Sequence, residues 1–221
     1  MLKEINILST KALSLVEIQF LLDANIAVDS VDFIAINPKK FTLETVHDNL
    51  IFTSQNAVRS VLQHPEWERL KSKNAFAVGI KTKNLLAANG FNVIAYTGYA
   101  SDLAEIISLV YGKESYTFFC GNLRRDVLPN TLKENGVQVN EIEVYETKLT
   151  PIKNTKKVDG ILFFSPSAVE SYLKTNTLKN EICFCIGETT AKALAYKNTI
   201  TAAHPTVELL LQEVVTHFSG K

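Results

Sequence analysis

Two stretches of the chain place hydroxyl groups where chemistry on a bound ligand would need them. DNLIFTSQNAVRSVL spans Asp48–Leu62 and DGILFFSPSAVESYL spans Asp159–Leu173, and Ser54 and Ser165 pair at an offset of 111 residues (165 minus 54). In each copy an apolar run ends at the serine, and apolar residues at helical spacing follow. The pattern predicts a buried strand, a turn and an amphipathic helix. The turn would carry free backbone N–H groups at the carboxyl end of a strand, where open α/β sheets bind ligands.

A second pair of stretches repeats a threonine in the same way. AFAVGIKTKNLLA (Ala75–Ala87) matches CFCIGETTAKALA (Cys183–Ala195), and Thr82 pairs with Thr190 at an offset of 108 (190 minus 82). Each threonine follows a strand-like run and a glycine. A helix start favours an anion by roughly 0.3–1 kcal/mol, and a hydroxyl there adds a hydrogen bond. The same hydroxyl could equally serve as a helix cap or turn residue, and the repeat does not separate these two functions.

Alternating strand and helix patterns run through both halves of the chain. They predict an α/β protein with two similar units built on parallel sheets. Gly90 is expected to end one helix in the left-handed conformation, and Ser101 is a candidate cap for the helix Ala100–Tyr111. Arg124 and Arg125 are expected to open the helix that follows Gly121. The repeat alone would divide the chain near its middle.

Composition excludes several classes of function. The 23 basic and 23 acidic residues give a formal net charge of zero, so no global field favours nucleic acid or a membrane surface. No apolar run reaches the roughly 18 residues of a membrane span and no signal peptide is visible, which predicts a cytoplasmic protein. Three cysteines in apolar runs indicate inert buried thiols, and four scattered histidines form no metal motif. Dinucleotide, phosphate-loop and nucleophile-elbow motifs are absent.

Several strings, in order, resemble those of uroporphyrinogen-III synthases. They are FTSQNAV and FFSPSAV, VGIKT and CIGETTAKAL, the VYET of Val144–Thr147, and HPTVELLL. The resemblance covers nearly the whole chain. It implies a lyase without metal or other cofactor, which takes hydroxymethylbilane, expels its terminal hydroxyl and closes the ring with the last pyrrole inverted. It also implies tetrapyrrole (heme) biosynthesis as the setting.

The resemblance changes the expected domain division. It implies two flavodoxin-like parallel-sheet domains joined by a two-stranded antiparallel hinge. One domain would comprise residues 1–36 and 152–221, and the other residues 42–145. Residues 37–41 and 146–151 would be the hinge strands, and Asn37-Pro38 breaks the pattern there. A sequential arrangement of the two units stays open from the repeat alone.

Tyr145 is the candidate for the chemical step, because it matches the tyrosine of the family's Y-x-T motif. A phenol, with a reference pKa near 10, can protonate a departing hydroxyl and stays neutral at pH 7. A tyrosine packed at a domain edge is the alternative. The substrate implied by the resemblance carries eight carboxylates, which the expected cleft would bind through hydroxyl and cationic side chains. The candidates are Ser54, Thr82, Ser165, Thr190, Lys11 and Arg125.

Some positions depart from the family pattern. Lys11 stands where many relatives have the arginine of an Arg-Pro pair. Lysine can meet a carboxylate as a point charge, but it cannot form the two parallel hydrogen bonds that an arginine makes. Gln55 and Asn56 stand where some relatives are basic, and Glu188 would repel an anion unless it points away. Two other functions therefore stay open: a non-catalytic two-domain binder of a small organic acid, and a family member kept for interaction alone. We expect a monomer.

Overall fold

The computed structural model describes residues 5–219. The strands and helices of the first half of the chain are β1 (Ile5–Ser9), α1 (Leu15–Asp23), β2 (Ile26–Ser30), β3 (Ile34–Pro38), β4 (Asn49–Phe52), α2 (Gln55–Val61), β5 (Asn74–Val78), α3 (Ile80–Ala88), β6 (Asn92–Thr97) and α4 (Ala100–Val110). Those of the second half are β7 (Ser115–Gly121), α5 (Val127–Glu134), β8 (Gln138–Leu149), β9 (Gly160–Phe163), α6 (Pro166–Leu173), β10 (Ile182–Cys185), α7 (Glu188–Leu194), β11 (Thr199–Thr201) and α8 (Val207–Ser219).

These elements form two compact units. Residues 36–147 make one of them, here called the middle unit, and the described residues on both sides of it make the other, the end unit. Each unit contains one sheet, and helices cover that sheet on both faces. The predicted α/β fold with parallel sheets is confirmed.

The sheet of the end unit has the strand order β11-β10-β9-β1-β2, with every pair parallel. Consecutive residues of a strand face opposite sides. Thus Ile7 packs with Leu21 of α1 and Leu210 of α8, whereas Leu8 packs with Val169 of α6 on the other face. Because both faces are buried, the strands need continuous apolar runs rather than alternation, and the sequence shows such runs.

The middle unit repeats this arrangement with different chain connections. Its sheet has the order β3-β8-β7-β4-β5-β6, in which the five strands from β8 to β6 are parallel. Helices α2 and α3 cover one face, where Phe52 packs with Val58, and α4 and α5 cover the other, where Ile51 packs with Leu103. The order β8-β7-β4-β5-β6 corresponds to β2-β1-β9-β10-β11 in the end unit. The repeated stretches therefore occupy equivalent places in the two sheets.

Strand β3 pairs with β8 in the antiparallel sense. Backbone hydrogen bonds join Lys39 N to the Val144 oxygen at 3.0 Å and Thr150 N to the Phe33 oxygen at 3.0 Å. Residue numbers therefore increase along one segment while they decrease along the other, as antiparallel pairing requires. The ammonium of Lys39 also pairs with Glu143 at 2.8 Å. Along these two strands the chain leaves the end unit and later returns to it.

Most predicted elements are confirmed, and the errors are local. Gly90 has the expected left-handed backbone, with φ +82°. The cap at Ser101 is wrong, because α4 begins one residue earlier and Ser101 donates to the Asp102 carboxylate instead. The break expected at Asn37-Pro38 is confirmed, because β3 ends at Pro38. A 3-10 helix at Trp67–Ser72 and the short strand β11 were not predicted from the sequence.

Candidate functional site

Six of the predicted site residues follow the carboxyl ends of the sheet strands, and Tyr145 lies within β8 opposite Gly121, the last residue of β7. In the end unit the adjacent strands β1 and β9 send their crossover helices, α1 and α6, to opposite faces of the sheet. In the middle unit β7 and β4 do the same through α5 and α2. Such a switch point opens a crevice outside the strand ends. Lys11 and Ser165 flank this point in the end unit, and Arg125 and Ser54 flank it in the middle unit.

Both serines are helix N-caps, which is one of the roles that the repeat left open. The Ser54 hydroxyl accepts a hydrogen bond from Asn56 N at 3.0 Å, and that of Ser165 accepts from Ala168 N at 3.1 Å. Ser165 also shares a 2.9 Å hydrogen bond with the Ser167 hydroxyl. Each serine is half-buried, and each keeps hydrogen-bonding capacity beyond its cap.

Lys11 lies close to the Ser165 turn. Its ammonium stands 5.6 Å from the centre of the Phe164 ring, and Phe164 directly precedes Ser165. Lys11 itself is exposed, so the aromatic contact positions its charge without removing it from solvent. The end unit thus brings a cation and a hydroxyl together at its switch point.

Thr82 and Thr190 follow the neighbouring strands, β5 and β10. Neither is a cap: each is the third residue of its helix, and Gly79 and Gly187 occupy the cap positions without a side chain to bond. Thr82 is 4% exposed and Thr190 is 3% exposed. Among residues 5–219 neither threonine hydroxyl has a hydrogen-bond partner. Their hydroxyls are therefore available to a ligand at the start of a helix whose first N–H groups are unpaired.

A β-bulge directs Tyr145. Cys120 pairs with Glu143 across strands β7 and β8, but the next pair is Gly121 with Tyr145, so Val144 is skipped. Without the bulge, Val144 and Tyr145 would face opposite sides of the sheet. Instead both pack against the hydrophobic cluster that includes α2. The bulge therefore turns the phenol toward the helix that Ser54 caps.

Gly121 makes room for the ring of Tyr145. A Cβ atom at this position would lie 2.4 Å from Cζ and 2.5 Å from Cε2 of Tyr145. The aromatic ring thus lies directly on the backbone of β7, which only glycine permits. Just beyond it, Asn122 fixes β8 with two hydrogen bonds to the backbone of Thr147, at 2.8 and 3.3 Å.

The Ser54 hydroxyl lies near the phenol of Tyr145. Burial raises the pKa of Tyr145 above its usual value, and the nearby Ser54 hydroxyl opposes this rise. The phenol is therefore protonated at neutral pH. Because the Ser54 oxygen already accepts from Asn56 N, its own proton can be donated to the Tyr145 oxygen, which leaves the phenolic proton free for a ligand.

The two arginines after β7 differ in their surroundings, and neither lies in a helix, since α5 begins only at Val127. The expected helix start is therefore wrong, and its cause is the pairing of Arg124 with the carboxylates of Asp126 and of Glu141, which lies on β8. Arg125 is exposed and has no ion pair among the described residues. It is therefore the cation of this turn that is free to meet an anionic ligand.

Sequence reasoning missed the packing of Tyr145 on Gly121 and the contact of Lys11 with Phe164. One signal was available: at the offset of 111, Gly121 corresponds to Thr10, whose buried hydroxyl donates to the Leu162 oxygen at 2.7 Å. A glycine in one copy against a threonine in the other indicates that the two units differ here. Glu188 is exposed at the first position of α7.

The described residues contain no cluster of side chains suited to a metal ion, and no helix among them is long and apolar enough to cross a membrane. All three cysteines are buried, as predicted. Burial raises the pKa of Cys120 to about 11 and contributes most to raising those of Cys183 and Cys185 to about 12. These thiols are therefore unreactive at neutral pH.

Comparisons with known proteins agree on one family. Residues 26–212 match the sequence model of the family described as uroporphyrinogen-III synthase HemD. Uroporphyrinogen-III synthase of Saccharomyces cerevisiae is 31% identical over 116 residues, which cover 45% of this chain and 42% of the yeast protein. The match thus spans less than half of that relative's length.

Two solved structures share the fold. Uroporphyrinogen-III synthetase from Helicobacter pylori superposes with a TM-score of 0.74 at 23% identity, covering 96% of this chain and 99% of that one. A variant of uroporphyrinogen III synthase from Thermus thermophilus gives 0.71 at 15% identity, covering 98% and 100%. The α/β architecture described above is therefore that of these proteins.

Proposed function

The chain belongs to the uroporphyrinogen-III synthase family, and from this premise we propose that it cyclises hydroxymethylbilane to uroporphyrinogen III. Water is lost and the last pyrrole ring is inverted in this reaction. The observation that carries the proposal is Tyr145, whose ring packs on Gly121 and whose phenol lies near the Ser54 hydroxyl at the carboxyl ends of the strands. This arrangement provides one neutral acid at the edge where α/β sheets bind ligands.

Tyr145 is the proposed general acid. The pyrrole nitrogen next to the hydroxymethyl group pushes electrons toward the breaking C–O bond, and the phenol gives its proton to the departing hydroxyl. Water leaves, and the phenolate, stabilised by the Ser54 hydroxyl, takes back the proton released when the ring closes. Since the raised pKa keeps Tyr145 protonated at neutral pH, the acid is in the required form before each turnover.

Inversion of the last ring needs positioning more than reactive groups. The enzyme must favour attack at the substituted carbon of that ring, through a spiro intermediate, over direct closure. Holding the two ends of the substrate in reacting geometry can supply on the order of 7–11 kcal/mol at best. We assign carboxylate binding to hydroxyls and cations at the strand ends of each unit, namely Ser54, Thr82 and Arg125 in the middle unit and Lys11, Ser165 and Thr190 in the end unit.

The proposal also includes the finer architecture implied by the family. Residues 1–36 with 152–221 and residues 42–145 would be two flavodoxin-like domains, and residues 37–41 and 146–151 would be hinge strands. The antiparallel bonds of β3 with β8 support the role of these segments as a connection. We further propose a monomeric, cytoplasmic enzyme that needs no metal or other cofactor. Sedimentation of the purified chain would test the oligomeric state.

A coupled assay tests the reaction. Hydroxymethylbilane is supplied by an upstream enzyme, and the isomers of uroporphyrinogen formed are separated and compared with the spontaneous background. The proposal predicts type III in excess. Type I alone at high protein concentration would refute it. Tyr145→Phe should lower the rate severalfold or more, and a wild-type rate in that variant would remove Tyr145 from the mechanism.

A further inference from the structure

A cavity of about 510 Å³ lies in the end unit, away from the residues assigned to the proposed reaction. Its walls are residues 153–159, which lead into β9, and residues 176–181, which lead into β10. Both segments reach the amino ends of these parallel strands, whereas Lys11, Ser165 and Thr190 follow carboxyl ends. The cavity is therefore at the opposite edge of the sheet, and its volume is that of a small-molecule site.

Asn176 holds the two walls together. It is 5% exposed, and its side chain accepts from Asn154 N at 2.8 Å and donates to the oxygens of Ile152 at 2.7 Å and Tyr172 at 3.0 Å. The Lys153 ammonium adds a bond of 2.8 Å to the Thr175 oxygen. The walls are thus fixed by hydrogen bonds before any ligand arrives, which lowers the entropy lost on binding.

Positive charge predominates in the lining, which contains four lysines and two acidic residues. The ammonium of Lys156 forms an ion pair with the Asp29 carboxylate at 2.7 Å. The ammonium groups of Lys157 and Lys179 are exposed and have no ion pair or hydrogen bond within the part of the chain that the structure describes. Glu181, one of the two acids, already accepts from two backbone N–H groups, at 2.7 and 3.0 Å. Two cations therefore remain available to a ligand.

Tyr172 adds a hydroxyl group to the lining of the cavity, and no group among residues 5–219 hydrogen-bonds it. The residue as a whole is 2% exposed, but its hydroxyl is not among the described buried polar atoms that lack a partner, so it is accessible from the cavity. Burial and the nearby Glu181 raise the pKa of Tyr172 to about 12, so the group is a donor at all physiological pH values.

We propose that this cavity binds a small organic or inorganic molecule carrying several oxyanion groups, with Lys157, Lys179 and Tyr172 as the donors. Protonated ammonium and phenol groups can both donate hydrogen bonds, which suits carboxylate or phosphoryl oxygens. The site is separate from the strand ends used by the proposed reaction. Its occupation therefore does not depend on that reaction being correct.

Titration of the full chain with citrate and, separately, with pyrophosphate tests the proposal, in a buffer free of both. Calorimetry should show saturable binding of at least one probe. Backbone amide spectra should shift for residues 153–159 and 176–181. Citrate binding with little response to pyrophosphate would identify a carboxylate site, and the reverse a phosphoryl site. Binding of neither probe overturns the proposal.

Variants separate a built site from general charge attraction. Lys157→Gln with Lys179→Gln should weaken binding about tenfold or more, because charge-assisted hydrogen bonds are lost. The matched control, Lys192→Gln with Lys197→Gln, removes the same charge from exposed positions of the same unit outside the cavity and should leave binding unchanged. Equal weakening in both pairs would contradict the assignment.

A third variant tests the hydroxyl alone. Tyr172→Phe keeps the ring and should weaken binding severalfold while the melting temperature changes little, because no described group hydrogen-bonds the hydroxyl. A lower melting temperature with unchanged binding would show that the hydroxyl has a structural role instead, and would remove Tyr172 from the site. Tyr145→Phe, which affects only the proposed reaction, should bind the probe normally.

Discussion

Replacing Gly121 by alanine tests whether the backbone of β7 positions Tyr145. The added Cβ would lie 2.4, 2.5 and 2.9 Å from three carbons of the tyrosine ring, whereas non-bonded carbons prefer about 3.5–4.0 Å. The ring must therefore retreat by roughly 1 Å or more. That movement would shift the phenol relative to the Ser54 hydroxyl and displace the proposed acid.

The expected effects follow from this displacement. Inserting a methyl group into a packed region costs about 1–3 kcal/mol. At about 2–4 °C per kcal/mol for a chain of this length, the melting temperature should fall by roughly 2–12 °C. A misplacement of about 1 Å can lower a catalysed rate by about a hundredfold. We therefore expect Gly121→Ala to be at least as slow as Tyr145→Phe in the isomer-resolved assay.

Two comparisons make the result specific. Gly98→Ala is the matched control, because a Cβ there meets nothing within 4 Å and the backbone is not in the left-handed region. It should retain wild-type stability and turnover. In the double variant Gly121→Ala/Tyr145→Ala the new methyl group has space, so the loss of stability should be smaller than the sum of the two single losses. Wild-type stability and turnover in Gly121→Ala would refute the positioning role.

Three further outcomes follow from the structure. Thr190→Val should keep the free energy of unfolding within about 1 kcal/mol, because no described group bonds its hydroxyl, but should raise KM severalfold; an unchanged KM would leave Thr190 as packing only. Ser165→Ala removes the cap on Ala168 N and should cost about 1 kcal/mol in urea unfolding, and no loss would contradict the cap. The pKa values of Cys183 and Cys185, raised to about 12 chiefly by burial, exceed the roughly 8.5 of exposed cysteine. The folded chain thus retains protons that the unfolded chain releases, so stability should fall as pH rises from about 8.5 toward 12. Urea midpoints should decline less steeply in Cys185→Ala, and equal slopes would count against this cause.

The repeat in the sequence was enough to predict the strand–turn–helix units, because each depends on neighbouring residues. An apolar run, a serine and helical spacing defined β4 and α2 around Ser54, and the same features defined β9 and α6 around Ser165. The hydroxyls of both serines cap their helices, a role that the pattern allowed but did not distinguish from ligand binding. The pattern therefore predicted at which end of each sheet the candidate site residues would lie.

The contacts that select among those candidates could not be predicted in this way. Tyr145 meets Gly121 because a bulge shifts the register of β8 by one residue, and periodicity in one strand contains no information about its partner's register. Arg124 fails to start a helix because Glu141, from another strand, binds it. Local helix signals were overridden by an ion pair between distant positions. The facing of both sets of strand ends onto one ligand stays a prediction.

The order of the chain through the two units has a consequence for synthesis on the ribosome. The middle unit is continuous, so it can fold once its last residue, Thr147, has emerged. Strand β1 is made first, yet its neighbour β9 comes later by 153 positions (160 minus 7), as in the pairing of Ile7 with Gly160. At about 5–20 residues per second, β1 waits for roughly 8–30 s with one of its two edges unpaired. The part of the protein that begins the chain is thus the last to be completed.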